Sequence, residues 1–434
     1  MKTKLVFLVM ALLLCAEYAA AEHAGIAVHE TAGIERELWP VQVGVTVPAD
    51  VSTDSLVLAR VDEDGSLHEV NFQLIAEIDS HGLDERWRQL RDIKSLEIAF
   101  VTRLPAEASL EFRLYYDDPE EDIAPASESF KLDAEKGEGF ARSVDTGAAR
   151  FEFHSNSGQL IKYQLAGNDY APEFFRSNRN EPVHGSGDLR TSRNNVRNWN
   201  HEDEAHALTF DESMGPITWQ MVRSGYIPHT DQQVEINVTY TAFAGMPFII
   251  TTSHIQFHSD WAVGALRSNQ LVFSRGFHTH GVYKTHDGQV NALRAHDPDD
   301  PDKHFGNLGR DSLPADIPLI GMLHEDRGYG VGMVTLERAN SRSRRVASPP
   351  AEGSYYHFLD SDLHGVGNPR NFFYLVRYEA RQGNHRLVVP SGSVFSSSSA
   401  ILAYPVGGAD EDDRYDELQR WVEMLRNPPK VYAK

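Results

Sequence analysis

Thiol chemistry is missing from this sequence. One residue in 434 is cysteine, Cys15, and it lies inside an N-terminal segment expected to be removed. Leu14 ahead of it is too large for a lipoprotein cleavage site. The mature chain then has no disulfide and no reactive thiol, and at about 410 residues it can bury enough apolar surface to fold without staples. Long hydrophobic runs are also missing. Past Leu14 nothing approaches the roughly 20 apolar residues that span a bilayer, which predicts no membrane span. Basic charge is scarce, with 41 Lys and Arg against 63 Asp and Glu and a formal net charge of -22. That field argues against nucleic acid or an anionic membrane as partner. The sequence has no G-x-S-x-G, P-loop, Rossmann fingerprint or H-E-x-x-H, which removes the commonest hydrolase, nucleotide and metalloprotease readings. No solenoid or propeller period is present, and helical spacing is rare.

The chain opens with Lys2 and Lys4, the apolar run Leu5 to Leu14, and then Ala19-Ala20-Ala21 before Glu22. That order is the layout of a cleavable secretory signal over 1–21, so a secreted or periplasmic protein is expected. Losing Lys2, Lys4 and Glu17 takes the formal charge from -22 to -23. By length, two or three domains are expected.

Short alternating strands fill Leu38 to Tyr116. Val57 to Val61 and Val70 to Leu74 flank the turn D-E-D-G, while Leu96, Ile98 and Phe100, then Leu110, Phe112 and Leu114, alternate with polar neighbours. This predicts a small N-terminal β domain over 22–118, barrel-like in type. An acidic, proline-bearing linker follows over 119–135. The region 136–406 reads as a large antiparallel β-sandwich of the supersandwich kind. Residues 149–165 form a hairpin around N-S-G. Val234 to Thr241 alternates, turns through A-G-M-P and continues F-I-I-T-T-S-H-I-Q-F-H. Ile255 and Phe257 then share one face, with His254, Gln256 and His258 on the other. Over 407–434 a C-terminal helix and tail are expected. Asp410 to Asp413 lie at the helix start, Leu418, Trp421, Val422 and Leu425 follow at helical spacing, and N-P-P ends it.

Candidate chemistry concentrates in a few stretches. S-R-G-F-H-T-H-G-V-Y (274–283) brings Arg275, His278, His280 and Tyr283 together. His278 and His280 can supply two metal ligands with His254 or His258 as a third. Alternatively, a histidine and a tyrosine can transfer protons to a substrate, or the stretch is a decorated loop. The segment 181–204 holds His184, Arg190, Arg193, Asn195, Arg197 and Trp199 with almost no aliphatic residues, and 336–345 adds Arg342 and Arg344 among its arginines. Guanidinium forks suit carboxylate or sulfate groups, and Trp199 can stack on a sugar ring, although a salt-bridge network would use the same arginines. S-G-Y-I-P-H-T offers Tyr226 and His229, and S-Y-Y-H-F offers Tyr355, Tyr356 and His357. D-P-D-D-P-D lacks the glycine and ligand spacing of a calcium loop.

The layout Leu38 to Tyr116 followed by Gly147 to Tyr404, with V-H-G-S-G-D-L-R and F-H-T-H-G-V-Y, resembles bacterial carbohydrate-active lyases. The resemblance is to ulvan oligosaccharide dehydratases, and more distantly to exo-rhamnogalacturonan lyases. It covers most of the mature chain through its layout, not through diagnostic motifs. It implies β-elimination on a uronate of an anionic oligosaccharide or polysaccharide, by dehydration at the non-reducing end or by lyase cleavage. In that chemistry an arginine, asparagine or metal neutralises the carboxylate, a histidine or tyrosine takes the C5 proton, and a second acid protonates the oxygen leaving C4. Expected catalytic residues are His280 and Tyr283, with His184, Tyr226 and His229 as the other candidates. Arg190, Arg193, Asn195, Arg197, Trp199, Arg275, Arg342 and Arg344 are expected to bind substrate. No cofactor is expected, because arginines can neutralise the carboxylate without a metal. A glycoside hydrolase with paired carboxylates and a non-catalytic glycan-binding protein are the alternatives.

Overall fold

Side chains that alternate between apolar and polar at every second residue cannot bury one face as a helix. They can do so as strands, and the described chain is almost all strand. The structure is a computed structural model, and it describes residues 23–79, 93–116, 122–126, 130–155, 158–168, 207–226, 230–263, 265–274, 279–284, 288–294, 296–297, 300–304, 317–341, 355–360, 370–379, 387–407 and 415–434. The chain divides into two units, one reaching Phe130 and including Pro428–Lys434, the other Lys131–Asn427. The division falls inside the acidic 119–135 segment.

In the first unit a six-stranded sheet runs in the order Lys430–Ala433, His23–His29, Ser109–Tyr115, Val57–Val61, Leu67–Glu69, Ile123–Ala124. A three-stranded sheet, Arg36–Pro48, Ile93–Leu104 and Phe72–Asp79, accompanies it. Val41, Val43, Val45 and Val47 are buried while Gln42, Gly44 and Thr46 between them are exposed. Phe100 of the smaller sheet meets Phe112 of the larger at 4.8 Å, so the two sheets share one core. Two details differ from the sequence reading. Val57–Val61 pairs with Leu67–Glu69 across D-E-D-G, and Phe72–Asp79 belongs to the other sheet. The tail after the helix returns as the strand Lys430–Ala433 beside His23–His29.

The second unit is built on a nine-stranded sheet. Its order is Ala207–Met214, Thr218–Tyr226, Val234–Phe243, Phe248–Phe257, Val394–Pro405, Tyr329–Ser341, Leu319–His324, His280–Lys284, Val290–Arg294, with every pairing antiparallel. A four-stranded sheet (Leu160–Leu165, Ala149–Phe153, Arg142–Asp145, Asp133–Lys136) covers one face. Phe153 lies 5.0 Å from the rings of both Trp219 and Tyr240. The Tyr163 hydroxyl donates to Pro247 O at 2.6 Å and accepts from Ala403 N. The hairpins expected over 149–165 and 234–258 are formed, with Gly158 and Gly245 at φ 65° and 75° in their turns.

The single described α-helix, Asp416–Arg426, buries Leu418, Val422, Met424 and Leu425 and carries Asp416 and Glu417 in its first turn. It lies against the sheet's other face, where Trp421 meets Phe248 at 5.7 Å and Arg426 donates to Thr335 O at 2.8 Å. Among the described residues no helix is long and apolar enough to cross a membrane.

Candidate functional site

Away from the helix, the face of the nine-stranded sheet opposite the four-stranded sheet is mainly polar, with Val222 and Val394 interspersed. On Thr218–Tyr226 it presents Gln220, Ser224 and Tyr226. Val234–Phe243 adds Glu235, Asn237 and Thr239, and Phe248–Phe257 adds Thr252, His254 and Gln256. Ser396 and Ser398 extend it on Val394–Pro405. Their strand neighbours Met221, Val238, Ile255 and Phe395 are buried on the covered face. Alternation has therefore placed one face in the core and left the other in contact with solvent.

Near one end of this open face the side chains connect. His258 Nε2 lies 2.8 Å from Glu235 Oε2, and the two side chains are 37% and 30% exposed. Asn237 Nδ2 donates to Glu235 Oε1 at 3.1 Å. The Tyr226 ring stands edge-on to His258 with centroids 6.4 Å apart, and Tyr226 is directly opposite Glu235 in the ladder. One position along, His254 faces Asn237 on one side and Ser396 on the other, with Nδ1 2.6 Å from Ser396 Oγ. A carboxylate that binds one imidazole nitrogen leaves the other free for proton transfer, with a phenol beside it as a possible acid.

Several strands begin or end at this same end of the sheet. Tyr226, Glu235, Gln256, Val394 and Ser341 form one row across five strands. The arginine-bearing segment 181–204 leads into the strand that begins at Ala207, opposite Gly225. The run with Arg342 and Arg344 leaves directly after Ser341. His229 follows Tyr226 by three residues. His184, Arg190, Arg193, Asn195, Arg197, Trp199, His229, Arg275, His278, Arg342 and Arg344 themselves lie outside the described residues.

His280 is elsewhere. It pairs with Leu323, which pairs with Gly330, which pairs with Tyr404. Tyr404 stands ten residues beyond Val394 on one strand, or roughly 33 Å at the usual strand rise. His280 also lies four strands from His254, roughly 19 Å at the usual strand spacing. His254 and His258 therefore cannot complete a metal site with His280. They are not gathered on one ion with each other either: four residues along a strand separate their backbones by roughly 13 Å, and their rings contact Ser396 and Glu235 instead. Among the described residues no group of three metal-ligating side chains occurs.

His280 and Tyr283 do not share a face of the sheet. Their spacing is odd, and an unbroken strand sends them to opposite faces. His280 is 11% exposed, with Nδ1 2.9 Å from Thr279 Oγ1 and 3.8 Å from Glu325 Oε2. Nearby, burial and then the charge of Arg327 hold His324 below the ordinary imidazole range.

The sequence reading missed Glu235, Asn237 and Ser396 as site residues. The signal was present: Glu235 and Asn237 occupy the polar positions of the Val234 to Thr241 alternation, and Ser396 opens a four-serine run inside a strand. The open face also bears on the paired-carboxylate alternative. Asp211 and Glu337 stand in the row of Thr239, four residues along from Glu235 and respectively two and three strands from it. Those offsets separate their backbones from that of Glu235 by roughly 15 Å or more, whereas the carboxyl groups of glycosidase pairs stand about 5–10 Å apart.

No family model matches the sequence, and no curated protein matches it. Solved structures do match its fold. A glycosyl hydrolase family 38 protein from Enterococcus faecalis aligns over 96% of this chain and 48% of its own, with a TM-score of 0.54 and 10% identity. An α-mannosidase from Enterococcus faecalis V583 aligns over 95% of this chain and 46% of its own, with a TM-score of 0.55 and 10% identity. The chain thus spans about half the length of these proteins. Its fold resembles that of carbohydrate-processing enzymes, and at this identity the likeness concerns fold alone.

Proposed function

We propose that this protein is a carbohydrate-active enzyme that performs β-elimination on a uronate of an anionic oligosaccharide at the Tyr226 end of the open face. The observation that carries the reading is the contact of His258 Nε2 with Glu235 at 2.8 Å, with Tyr226 alongside. Glu235 orients the imidazole so that Nδ1 takes the C5 proton, and it then stabilises the imidazolium that forms. The C5–H electron pair becomes the C4=C5 bond, the C4–O bond breaks, and the departing oxygen takes the Tyr226 hydroxyl proton. Solvent then takes the proton from the imidazolium and returns one to the phenolate.

The uronate carboxylate must be neutralised for its α proton to leave, and an oxyanion that develops charge is best met by fixed donors. Both arginine-bearing segments join the sheet beside this row, which supports assigning them that role. The fold likeness to carbohydrate-processing enzymes supports a sugar substrate, and the spacing of Asp211, Glu235 and Glu337 disfavours a carboxylate pair on these strands. An oxygen at C4 that carries a sugar gives chain cleavage, and a hydroxyl there gives dehydration.

The test is the ultraviolet absorbance of the conjugated 4,5-unsaturated product with uronate oligosaccharides as substrate. The wild type should generate it, and Tyr226→Phe and His258→Ala should each slow it by about 10²–10⁴-fold while leaving oligosaccharide binding intact. Full activity in both variants, or hydrolysis without an absorbance rise, would refute the reading.

A further inference from the structure

Asn237 and Glu235 are neighbours on one face of one strand, and the Asn237 amide donates to the oxygen of Glu235 that His258 does not use. The carboxylate is thus held at both ends. An ionised carboxylate only accepts, so the contact with His258 requires the proton on Nε2, and in the neutral imidazole Nδ1 then carries the lone pair. The last torsion of a glutamate is broad, so a single contact at 30% exposure does not fix the carboxylate plane. A second donor on the other oxygen does. Among the described residues, the titratable groups on the adjoining strands and turns are Tyr226 on one neighbouring strand, His254 on the other, Asp231 in the turn before Val234 and Asp260 in the turn after His258. The Asp260 carboxylate accepts from Ser391 N at 2.8 Å.

We infer that Asn237 is a positioning residue, which locks Glu235 and through it sets His258 in the Nε2–H tautomer with Nδ1 as the base. The inference rests on the reading of His258 as base. Asn237 touches neither the reacting atoms nor the imidazole, so its effect must pass through Glu235.

The experiment is a double-mutant cycle on the full mature chain with an NMR readout. Asn237→Ala should lower kcat about tenfold with KM little changed, and in the Glu235→Gln background it should have less than about a twofold effect. The side-chain ¹⁵N shifts of His258 should report a single Nε2–H tautomer in the wild type and a mixture in Asn237→Ala. Asn237 is half-buried on the open face, and the backbone spectrum checks that the variant is folded. Multiplicative losses across the cycle, or an unchanged tautomer in folded Asn237→Ala, would overturn the inference. If uronate oligosaccharides give no elimination product even with the wild type, the reaction assignment fails, and the imidazole spectra still decide the role of Asn237.

Discussion

Glu212→Gln is the sharpest probe of the scaffold that holds the open face in place. Glu212 Oε1 accepts from Arg142 Nε at 2.9 Å and from Trp219 Nε1 at 2.8 Å, and Lys136 Nζ is 3.3 Å from Oε2. Arg142 and Glu212 side chains are 8% and 7% exposed, so the pair ties the four-stranded sheet to the edge of the nine-stranded one out of water's reach. Removing one partner of a buried pair costs about 3–5 kcal/mol when the other charge is stranded. Here Arg142 keeps two carbonyl acceptors, Gly139 O and Ala141 O, and its guanidinium lies 5.0 Å from the Phe210 ring. Glutamine also retains an acceptor for Trp219. We therefore expect a loss of about 2–4 kcal/mol, the lower part of the range and just below it.

Chemical denaturation followed by tryptophan emission measures that loss directly, because Trp219 sits in the network. The midpoint should fall at constant m-value. The pH dependence has a definite sign. Burial works to raise the Glu212 pKa, but hydrogen bonds from Arg142 and Trp219 and the charge of Arg142 outweigh it, so the folded value lies below the ordinary 4.5. The stabilisation is then fully present above the unfolded value and is lost as pH falls through the folded one. The gap between wild type and variant should narrow in acid. A loss under about 1 kcal/mol at neutral pH, or a gap that does not narrow in acid, would refute the account.

Much of the fold was legible because its signal is local. Val41 to Val47 and Val234 to Thr241 alternate strictly, and a strand with one apolar face has few alternatives. The helix was readable for the same reason, since Leu418, Val422 and Leu425 form one stripe. What the sequence hid was adjacency. Nothing local in L-H-E says that Leu67–Glu69, and not the more apolar stretch around Phe72, closes on Val57–Val61. Nor does anything in F-H-T-H-G-V-Y say that His280 enters the sheet eight strands along and at the end away from Tyr226. Histidines are dense over 274–283, but density measures composition, whereas a site requires rows from distant strands to coincide. His258 and Glu235 are 23 residues apart, and only the pairing of Glu235 with Gln256 brings them within hydrogen-bond reach. The odd spacing of His280 and Tyr283 was the exception, since strand alternation alone places them on opposite faces.

Two further predictions separate scaffold from site. Burial holds the Tyr163 phenol neutral, well above its ordinary range, and its hydroxyl serves both Pro247 O and Ala403 N. Tyr163→Phe should cost about 1–2 kcal/mol in denaturation, the lower part of the usual penalty for unsatisfied buried groups. Ala403 N retains a 3.3 Å contact to Pro247 O, which is why the lower part applies. A neutral effect would mean that the two backbone groups satisfy one another. His280→Ala tests the separation of the two ends. His280 is anchored by Thr279, whose hydroxyl also accepts from Glu325 N at 2.9 Å, and the cluster stands roughly 30 Å along the strands from Tyr226. At that distance, and six strands or about 29 Å across the sheet, a charge at His280 is several Debye lengths from Tyr226 and is screened to near nothing. His280→Ala should therefore leave elimination kinetics within about twofold of wild type while His258→Ala slows them by about 10²–10⁴-fold, both measured by product absorbance on folded protein. A tenfold or greater fall in kcat/KM for folded His280→Ala would put the reacting sugar at the wrong end of the sheet. The base would then have to be sought among Thr279, His280 and Glu325.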